Sequence, residues 1–343
     1  IFENSVPGLP EAAAAEDMTP LEYMRRHGCF QVQDRVYETY KTPLEEPPAA
    51  GMQRDEENAV VTDGDRVLGV LVDGVARVGF PTPSRRLELY STTLAQWGWS
   101  EHALPGYIES HVDQQHLAAD EMVLVSTFRL PTLIHTRSAN SKWLTELSNT
   151  NPVWIHPRDA QKLSVETGDL LRVSTRIGYY VNRAWVTEGV RPGVVACSHH
   201  MGRWRVEGDP QGSSRWQLHD IQLTEDGQGG YRIRRTTDVQ AFSSSDPDSK
   251  RVWWSSGGVH QNMVFPVQPD PVSGMHCWHQ KVKVTVAEPE DRYGDVFADT
   301  TKSMAVFREW LARARPAPGP GGLRRPLHLK RVVRPADETY RIE

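Results

Sequence analysis

Short apolar segments separated by polar turns dominate the middle of the chain. Residues 122–125, 153–155, 170–175 and 179–186 are brief and rich in β-branched or aromatic side chains, which favours strands over helices. Ile177-Gly178 lies between the last two and predicts a hairpin. Because short strands with few intervening helices are typical of a closed barrel, the sequence predicts a mainly β fold with short helices rather than a nucleotide-binding α/β sheet.

Helical and hairpin signals flank this block. Thr19 followed by Pro20 predicts a short helix over residues 18–26, and Pro157 predicts the start of another that ends before Gly168. Asp73-Gly74 predicts a hairpin between strands at residues 66–72 and 75–80. Apolar residues at helical spacing near the carboxyl end predict an amphipathic helix over 300–315 that docks by that face: Met304, Val306, Phe307, Trp310 and Leu311.

Other stretches lack a pattern. Residues 205–250 are rich in Gly, Ser, Asp, Gln and Arg, which predicts a long surface insertion, and the basic segment 323–343 predicts an extended tail. We therefore expect an amino-terminal linker region over 1–118, a β-barrel domain over 119–290, and a helix with an extended tail over 291–343.

Composition narrows the possible functions. The 343 residues carry a formal net charge of -5, which gives no basic surplus for nucleic acid. No window is apolar enough for direct insertion into a membrane. The three cysteines lie far apart, without CxxC spacing, so this chain by itself does not ligate an iron-sulfur cluster or a structural zinc in the usual way. The first residue is Ile1 and no secretory signal follows, so we expect a processed amino terminus or a piece of a longer protein.

The candidate chemistry follows the strand at 122–125. The chain there becomes polar and offers hydroxyls, guanidinia, an imidazole and an amide, which can bind phosphates, ribose hydroxyls and a purine edge; a solvated loop is the alternative. These polar residues are Ser126, Thr127, Arg129, His135, Thr136, Arg137, Ser138, Asn140 and Ser141.

Two histidine-containing stretches suggest a metal at first sight. Adjacent residues on a strand point to opposite faces, so one metal does not easily take both His199 and His200. His276 and His279 have no second cluster of ligands near them along the chain. We therefore assign no metal ligand and no catalytic acid or base.

Several signatures resemble one family when read in order. They are Thr127-Phe128-Arg129 with His135-Thr136, the segment NPVWIHPRDA at 151–160, Thr167-Gly168-Asp169, and PTPSRRLELYS at 81–91. Together they resemble the carboxy-terminal cofactor domain of the molybdopterin oxidoreductases, the dimethyl sulfoxide reductase superfamily. Phe128 stands where the family often has Gly, and Arg85-Arg86 replaces a Gly-Lys pair.

The resemblance implies a double-psi β-barrel-like domain and a cofactor of molybdenum or tungsten on two molybdopterin guanine dinucleotides. It also implies residues that bind this cofactor: Thr127, Phe128, Arg129, His135, Thr136, Arg137, Ser138, Asn140, His200, Asn262 and His279.

We therefore expect this chain to be the carboxy-terminal part of a catalytic subunit. The resemblance implies that the remainder of that subunit carries an iron-sulfur cluster, and that an iron-sulfur electron-transfer subunit and a membrane-anchor subunit are partners.

The sequence of residues 137–155 is more similar to respiratory reductases of sulfur compounds or arsenic oxyanions than to nitrate reductases. A formate dehydrogenase and a metal-free scaffold subunit of a respiratory complex stay open, as do a periplasmic and a cytoplasmic location. An aspartic-protease-like barrel would need an Asp-Thr/Ser-Gly loop, which the chain lacks.

Overall fold

The computed structural model describes residues 2, 6–32, 36–44, 51–130, 144, 147–207, 219–237 and 257–315. These residues form two compact units, the first ending at Gly106 and the second spanning Tyr107–Arg315. None of the described helices has the length and apolar composition that crossing a bilayer requires.

Among the residues that the structure describes, the first unit combines three short helices with a small sheet. Its helices are α1 (Leu9–Ala15), α2 (Pro20–His27) and α3 (Thr92–Gln96), and 3₁₀ turns lie at Val36–Lys41 and Ser100–His102. The sheet is antiparallel, in the order β1 (Met52–Asp55), β2 (Val60–Asp63), β3 (Arg66–Val72) and β4 (Val75–Arg77).

Short sequence signals determine the start of α2 and the turn between β3 and β4. The Thr19 hydroxyl accepts the Glu22 amide and the Glu22 carboxylate accepts the Thr19 amide, which closes a capping box at the start of α2. The Asp73-Gly74 turn has φ of 52° and 73°, as expected for a tight hairpin. Both predictions are confirmed.

In its described ranges, the second unit contains ten named strands and two named α-helices, with 3₁₀ turns at Gln114–His116 and Asn262–Val264. The helices are α4 (Pro157–Leu163), which the sequence predicts, and α5 (Thr300–Leu311). The strands are β5 (Glu121–Val125), β6 (Val153–Ile155), β7 (Leu170–Ser174), β8 (Gly178–Val186), β9 (Val194–Ala196), β10 (Trp204–Val206), β11 (His219–Glu225), β12 (Gly230–Arg235), β13 (Gln280–Val286) and β14 (Val296–Asp299).

Six of these strands close on themselves. The order β8-β6-β9-β5-β13-β7 returns to β8 because β7 also pairs with β8. The pairs β5–β9 and β6–β8 are parallel, and the other four are antiparallel. The predicted mainly β fold with a barrel and short helices is confirmed as a closed, mixed six-stranded barrel.

Four further strands extend the barrel from β8. β14 pairs with β8, β12 with β14, β11 with β12, and β10 with β11. The prediction of a patternless insertion over 205–250 is therefore wrong for β11 and β12, whose single buried apolar side chains, Ile221 and Ile233, join the core. Residues 208–218 and 238–250 lie outside the described part of the chain.

Inward-facing side chains of the barrel form one apolar core. Alternate positions of β7 and β13 are buried, as a strand with one face toward a core requires. Core residues contributed by the strands include Leu124, Val153, Ile155, Leu171, Val173, Tyr180, Val195, Val282 and Val284. This packing fixes the strand ends, and so positions the loops that leave them.

Helix α5 confirms the predicted amphipathic helix but docks by a narrower face. Val306 and Trp310 are buried against Ile177, whereas Met304 and Leu311 are about half exposed. The two buried residues lie four apart, one helical turn, which defines the docked stripe.

Candidate functional site

Strand register brings several loops together at one end of the barrel. Val125 of β5 lies beside Ala196 of the parallel strand β9, so Ser126 and Cys197 leave the barrel at the same end. Strand β13 is antiparallel to β5 and begins with Gln280 opposite Leu124. His279 therefore enters where Ser126 leaves. We call this end, defined by Ser126, Cys197 and His279, the site edge.

The centre of the site edge is a hydroxyl–imidazole contact. Thr127 Oγ1 lies 3.1 Å from His279 Nε2, and both side chains are exposed. Buried Ser126 donates its hydroxyl to the Trp278 carbonyl at 2.9 Å, which joins the two segments one residue earlier. His111 Nε2 donates to the His279 carbonyl at 2.8 Å. The hydrogen bonds to the Trp278 and His279 carbonyls thus hold the Thr127 and His279 side chains next to each other.

The two adjacent histidines lie beside this contact, in a different arrangement from the one expected. Strand β9 ends at Ala196, so His199 and His200 lie in the following turn and not on a strand. Their ring centroids are 4.1 Å apart. The prediction that the two side chains lie on a strand and point to opposite faces is therefore wrong. His199 Nδ1 donates to the Ser126 carbonyl at 3.0 Å, and buried His200 lies within 3.0 Å of the Ser198 hydroxyl through Nδ1.

A fully buried amide braces the loops behind the site edge. Asn151 Nδ2 donates to the carbonyls of Ser198 at 2.5 Å and Val259 at 3.0 Å, and Asn151 Oδ1 accepts the Val259 amide at 2.7 Å. Gln261, also buried, donates to the Cys197 carbonyl at 2.8 Å. These residues tie the loop carrying His200 to the segment that leads into Asn262. Asn151 and Gln261 are not among the site residues that the sequence predicts.

Two glycines allow the segment that follows His200 to pack closely against the segment at 257–260. Gly202 and Gly258 both have φ of 82°, a left-handed conformation that glycine adopts without strain. A Cβ on Gly202 would collide with the Val259–His260 backbone, and one on Gly258 with Met201 and Asn151. The close approach therefore needs glycine at both places.

The remaining predicted residues are placed as follows. Arg129 is exposed beyond Thr127, and half-buried Phe128 packs against Trp154 with ring centroids 4.7 Å apart. Asn262 is exposed at the start of a 3₁₀ turn, and no hydrogen bond between described side chains joins it to Thr127 or His279. His135, Thr136, Arg137, Ser138 and Asn140 lie outside the described residues.

Burial sets the protonation of the nearby thiol. Cys197 is completely buried, and burial raises the pKa of its thiol to about 12, so it stays protonated and is a poor metal ligand or nucleophile. It donates to the Asn151 carbonyl at 3.2 Å. Within the described ranges, no group of three or more His, Cys, Asp or Glu side chains could hold a metal ion.

The donors at the site edge suit an anionic, oxygen-rich ligand. A hydroxyl, an imidazole and a guanidinium at Thr127, His279 and Arg129 can all bond to phosphate oxygens. The hydroxyl and the imidazole are exposed but held in place by the strands and backbone bonds behind them.

Comparison with known proteins gives this edge its context. Residues 123–226 match the family model described as "Molydopterin dinucleotide binding domain". The chain carries a molybdopterin dinucleotide-binding domain of the dimethyl sulfoxide reductase family. The matched range begins in β5 and ends just after β11, so it includes Thr127 and His200.

Curated relatives match part of the chain. The chain is 32% identical over 136 residues to the thiosulfate reductase molybdopterin-containing subunit of Salmonella typhimurium, covering 39% of this chain and 16% of that protein. It is 29% identical over 160 residues to the arsenate respiratory reductase molybdopterin-containing subunit of Chrysiogenes arsenatis, covering 37% and 19%. It is 30% identical over 132 residues to a dimethyl sulfoxide reductase of Haemophilus influenzae, covering 36% and 16%. The chain thus spans less than a fifth of the length of these relatives.

The molybdopterin dinucleotide-binding domain implies a cofactor of molybdenum or tungsten on molybdopterin guanine dinucleotides. The donor set at the site edge fits that group, since the dinucleotide carries phosphates and hydroxyls for which Thr127, Arg129 and His279 are suitable partners. When bound, the cofactor supplies the redox chemistry, while the protein binds and orients it.

Proposed function

We propose that this chain is the carboxy-terminal, cofactor-binding part of the catalytic subunit of a respiratory reductase that acts on sulfur compounds or arsenic oxyanions. The observation that carries the cofactor-binding role is the contact between Thr127 and His279, which joins two segments far apart in sequence at one end of the barrel. The thiosulfate and arsenate reductases among the relatives support the substrate class.

The role of this part would be to hold one guanine dinucleotide. Thr127 and His279 would offer a hydroxyl and an imidazole to its phosphates, and Arg129 a guanidinium. Asn151 and Gln261 would keep the loops behind these groups in register through their bonds to backbone. In this proposal none of these residues transfers a proton or ligates the metal.

The remaining parts of such an enzyme belong to the same proposal. By its resemblance to the family, the rest of the catalytic subunit would carry an iron-sulfur cluster. The three cysteines of this chain are far apart in sequence and lack the usual ligand spacing. An iron-sulfur electron-transfer subunit, and a membrane-anchor subunit with it, would complete the complex.

The test uses the full-length subunit, purified without oxygen. Molybdenum and tungsten are counted by mass spectrometry, and pterin is measured as its fluorescent derivative after acid iodine oxidation. We expect metal and pterin together in the protein. A preparation from cofactor-replete cells that contains neither would support the metal-free scaffold and contradict the proposal.

Substrate is tested on the same preparation. With reduced viologen as electron donor, we expect reduction of thiosulfate, of a related sulfur compound or of arsenate. Formate oxidation with oxidised viologen, without reduction of any of these acceptors, would overturn the substrate class and favour a formate dehydrogenase. It would leave the cofactor-binding role intact.

A further inference from the structure

The first unit contains an open cavity next to its four-stranded sheet. Its volume is about 470 Å³, within the range of small-molecule sites. Val70, Phe80 and Leu87 contribute apolar side chains to the lining. Tyr40 stacks on Phe80 with centroids 4.7 Å apart and planes within 13°, which extends the aromatic wall. Leu87 is 76% exposed, so this wall opens to solvent.

Among the described residues, the charged side chains of the lining all have the same sign. Lys41, Arg77, Arg85 and Arg86 line the cavity, and no acidic residue that the structure describes does. Lys41 is paired with Glu38 at 2.8 Å. The three arginines form no ion pair with any carboxylate in the described part of the chain.

The guanidinia of these arginines bond to backbone carbonyls instead. Arg77 donates to Lys41 at 2.5 Å, Arg85 to Val67 at 3.5 Å, and Arg86 to Asn58. A carbonyl does not cancel a full positive charge, so an apolar cavity lined by uncompensated cations favours an anion.

Arg85 is held there against its backbone preference. Its φ is 61°, in the left-handed region that glycine adopts freely and other L-residues seldom do. The turn enforces this conformation, because the Arg85 amide donates to Thr82 at 3.1 Å and its carbonyl accepts the Phe80 amide at 2.8 Å. A strained backbone beneath a side chain that lines a cavity indicates a role for that side chain.

We propose that this cavity binds a small amphipathic anion. Its head group, a carboxylate, sulfonate or phosphate, is bound by the Arg85 guanidinium together with Arg77 and Arg86. Its apolar body packs against Val70 and Phe80. Charge complementarity selects the head group, and the lining selects a hydrocarbon or aromatic body.

The test compares two dyes on the full chain: 8-anilinonaphthalene-1-sulfonate, and N-phenyl-1-naphthylamine, which has a similar aromatic body and no charge. We expect the sulfonate to bind with a stoichiometry of one. Arg85→Gly should weaken its affinity by about tenfold, the scale of one charged hydrogen bond, and should change the affinity of the neutral dye by less than about twofold. Because glycine relieves the backbone strain, its melting temperature should not be lower than that of the parent.

Matched variants sharpen the result. Arg85→Lys keeps the charge and should retain most of the affinity, whereas Arg25→Gln removes an exposed charge on α2 outside the cavity lining and should change nothing. Decanoate and decyl phosphate should each displace the sulfonate, and their relative potency identifies the preferred head group. Unchanged sulfonate affinity in Arg85→Gly, an equal loss of both dyes, or no displacement by either competitor would overturn the proposal.

Discussion

Asn151 Oδ1 accepts the backbone amide of Val259 at 2.7 Å across 108 residues of chain. The same side chain donates to carbonyls of Ser198 and Val259, so one buried amide satisfies backbone groups of two loops. Because an unpaired buried polar group is costly, this residue decides whether the His200 loop and the Asn262 segment keep their relative positions.

Replacing Asn151 should therefore destabilise the second unit strongly. Asn151→Leu keeps the approximate size but leaves two carbonyls and one amide without partners, and we expect a loss of about 3 kcal/mol or more in the free energy of unfolding. Urea unfolding measures this loss. Asn58→Leu is the control, because the Asn58 side chain is exposed and bonds only to nearby Asp55, while the Asn58 carbonyl that accepts Arg86 is kept in the variant. A difference of less than about 0.5 kcal/mol between the two variants would show that Asn151 is not a brace.

The Arg172–Asp291 pair should make stability depend on acid pH. Arg172 donates to both carboxylate oxygens at 2.9 and 2.7 Å, and the Glu288 amide adds a bond at 2.8 Å. Burial opposes the ionised form, but these hydrogen bonds outweigh it and hold the pKa of Asp291 below its ordinary 3.8. A lowered carboxyl pKa contributes stability above that ordinary value, and the contribution is lost as pH falls through the folded-state pKa.

We expect Asp291→Asn to be less stable than the parent by about 2 kcal/mol at pH 7. The difference should shrink as pH falls below about 4, because the Asp291 carboxylate of the parent then becomes protonated and loses its charge. Melting curves from pH 2 to 7 provide the measurement, with exposed Asp65→Asn as control. A gap between parent and Asp291→Asn that stays constant down to the lowest pH would refute this account.

His219 should make stability depend on pH over a higher pH range than Asp291 does. It is 3% exposed, and burial, aided by the charge of Arg235, lowers the pKa of its imidazole from 6.5 to about 3. Below about pH 6.5 the His219 imidazole binds a proton in the unfolded chain but not in the folded chain. Stability therefore falls as pH drops from about 6.5 toward 3. His219→Leu should make this part of the pH–stability curve shallower than that of the parent. Equal slopes for His219→Leu and the parent would contradict the assignment.

Much of the fold can be predicted from short-range signals. The Thr19–Glu22 capping box, the Asp73-Gly74 hairpin and the Pro157 helix start each depend on residues within a few positions of one another. The structure shows all three. Strand β11 is different, because Ile221 is its only buried apolar side chain and the polar residues Asp220 and Gln222 flank it. Its pairing with β12, and through it with β14, depends on distant contacts that a local pattern does not reveal.

The site was predictable to a similar extent. The polar run after β5 and its resemblance to a known domain pointed to Thr127, and the same resemblance pointed to His279, across 152 residues. The roles of Asn151 and Gln261 arise from backbone partners on other loops, so no spacing in the sequence signals them. His199 and His200 were misread because the end of β9 at Ala196 is not marked by a turn residue.

Binding of the molybdopterin dinucleotide at the site edge is tested most directly by the guanine nucleotide released from acid-treated, full-length subunit, counted per polypeptide. Thr127→Val combined with His279→Leu removes two donors, and Thr285→Val, exposed on β13, is the control. We expect the double variant to retain less guanine nucleotide than the parent, because the loss of more than about 1 kcal/mol of binding weakens affinity at least about fivefold, and Thr285→Val to retain the parent's amount. A double variant that folds and carries the parent's full complement would contradict the account.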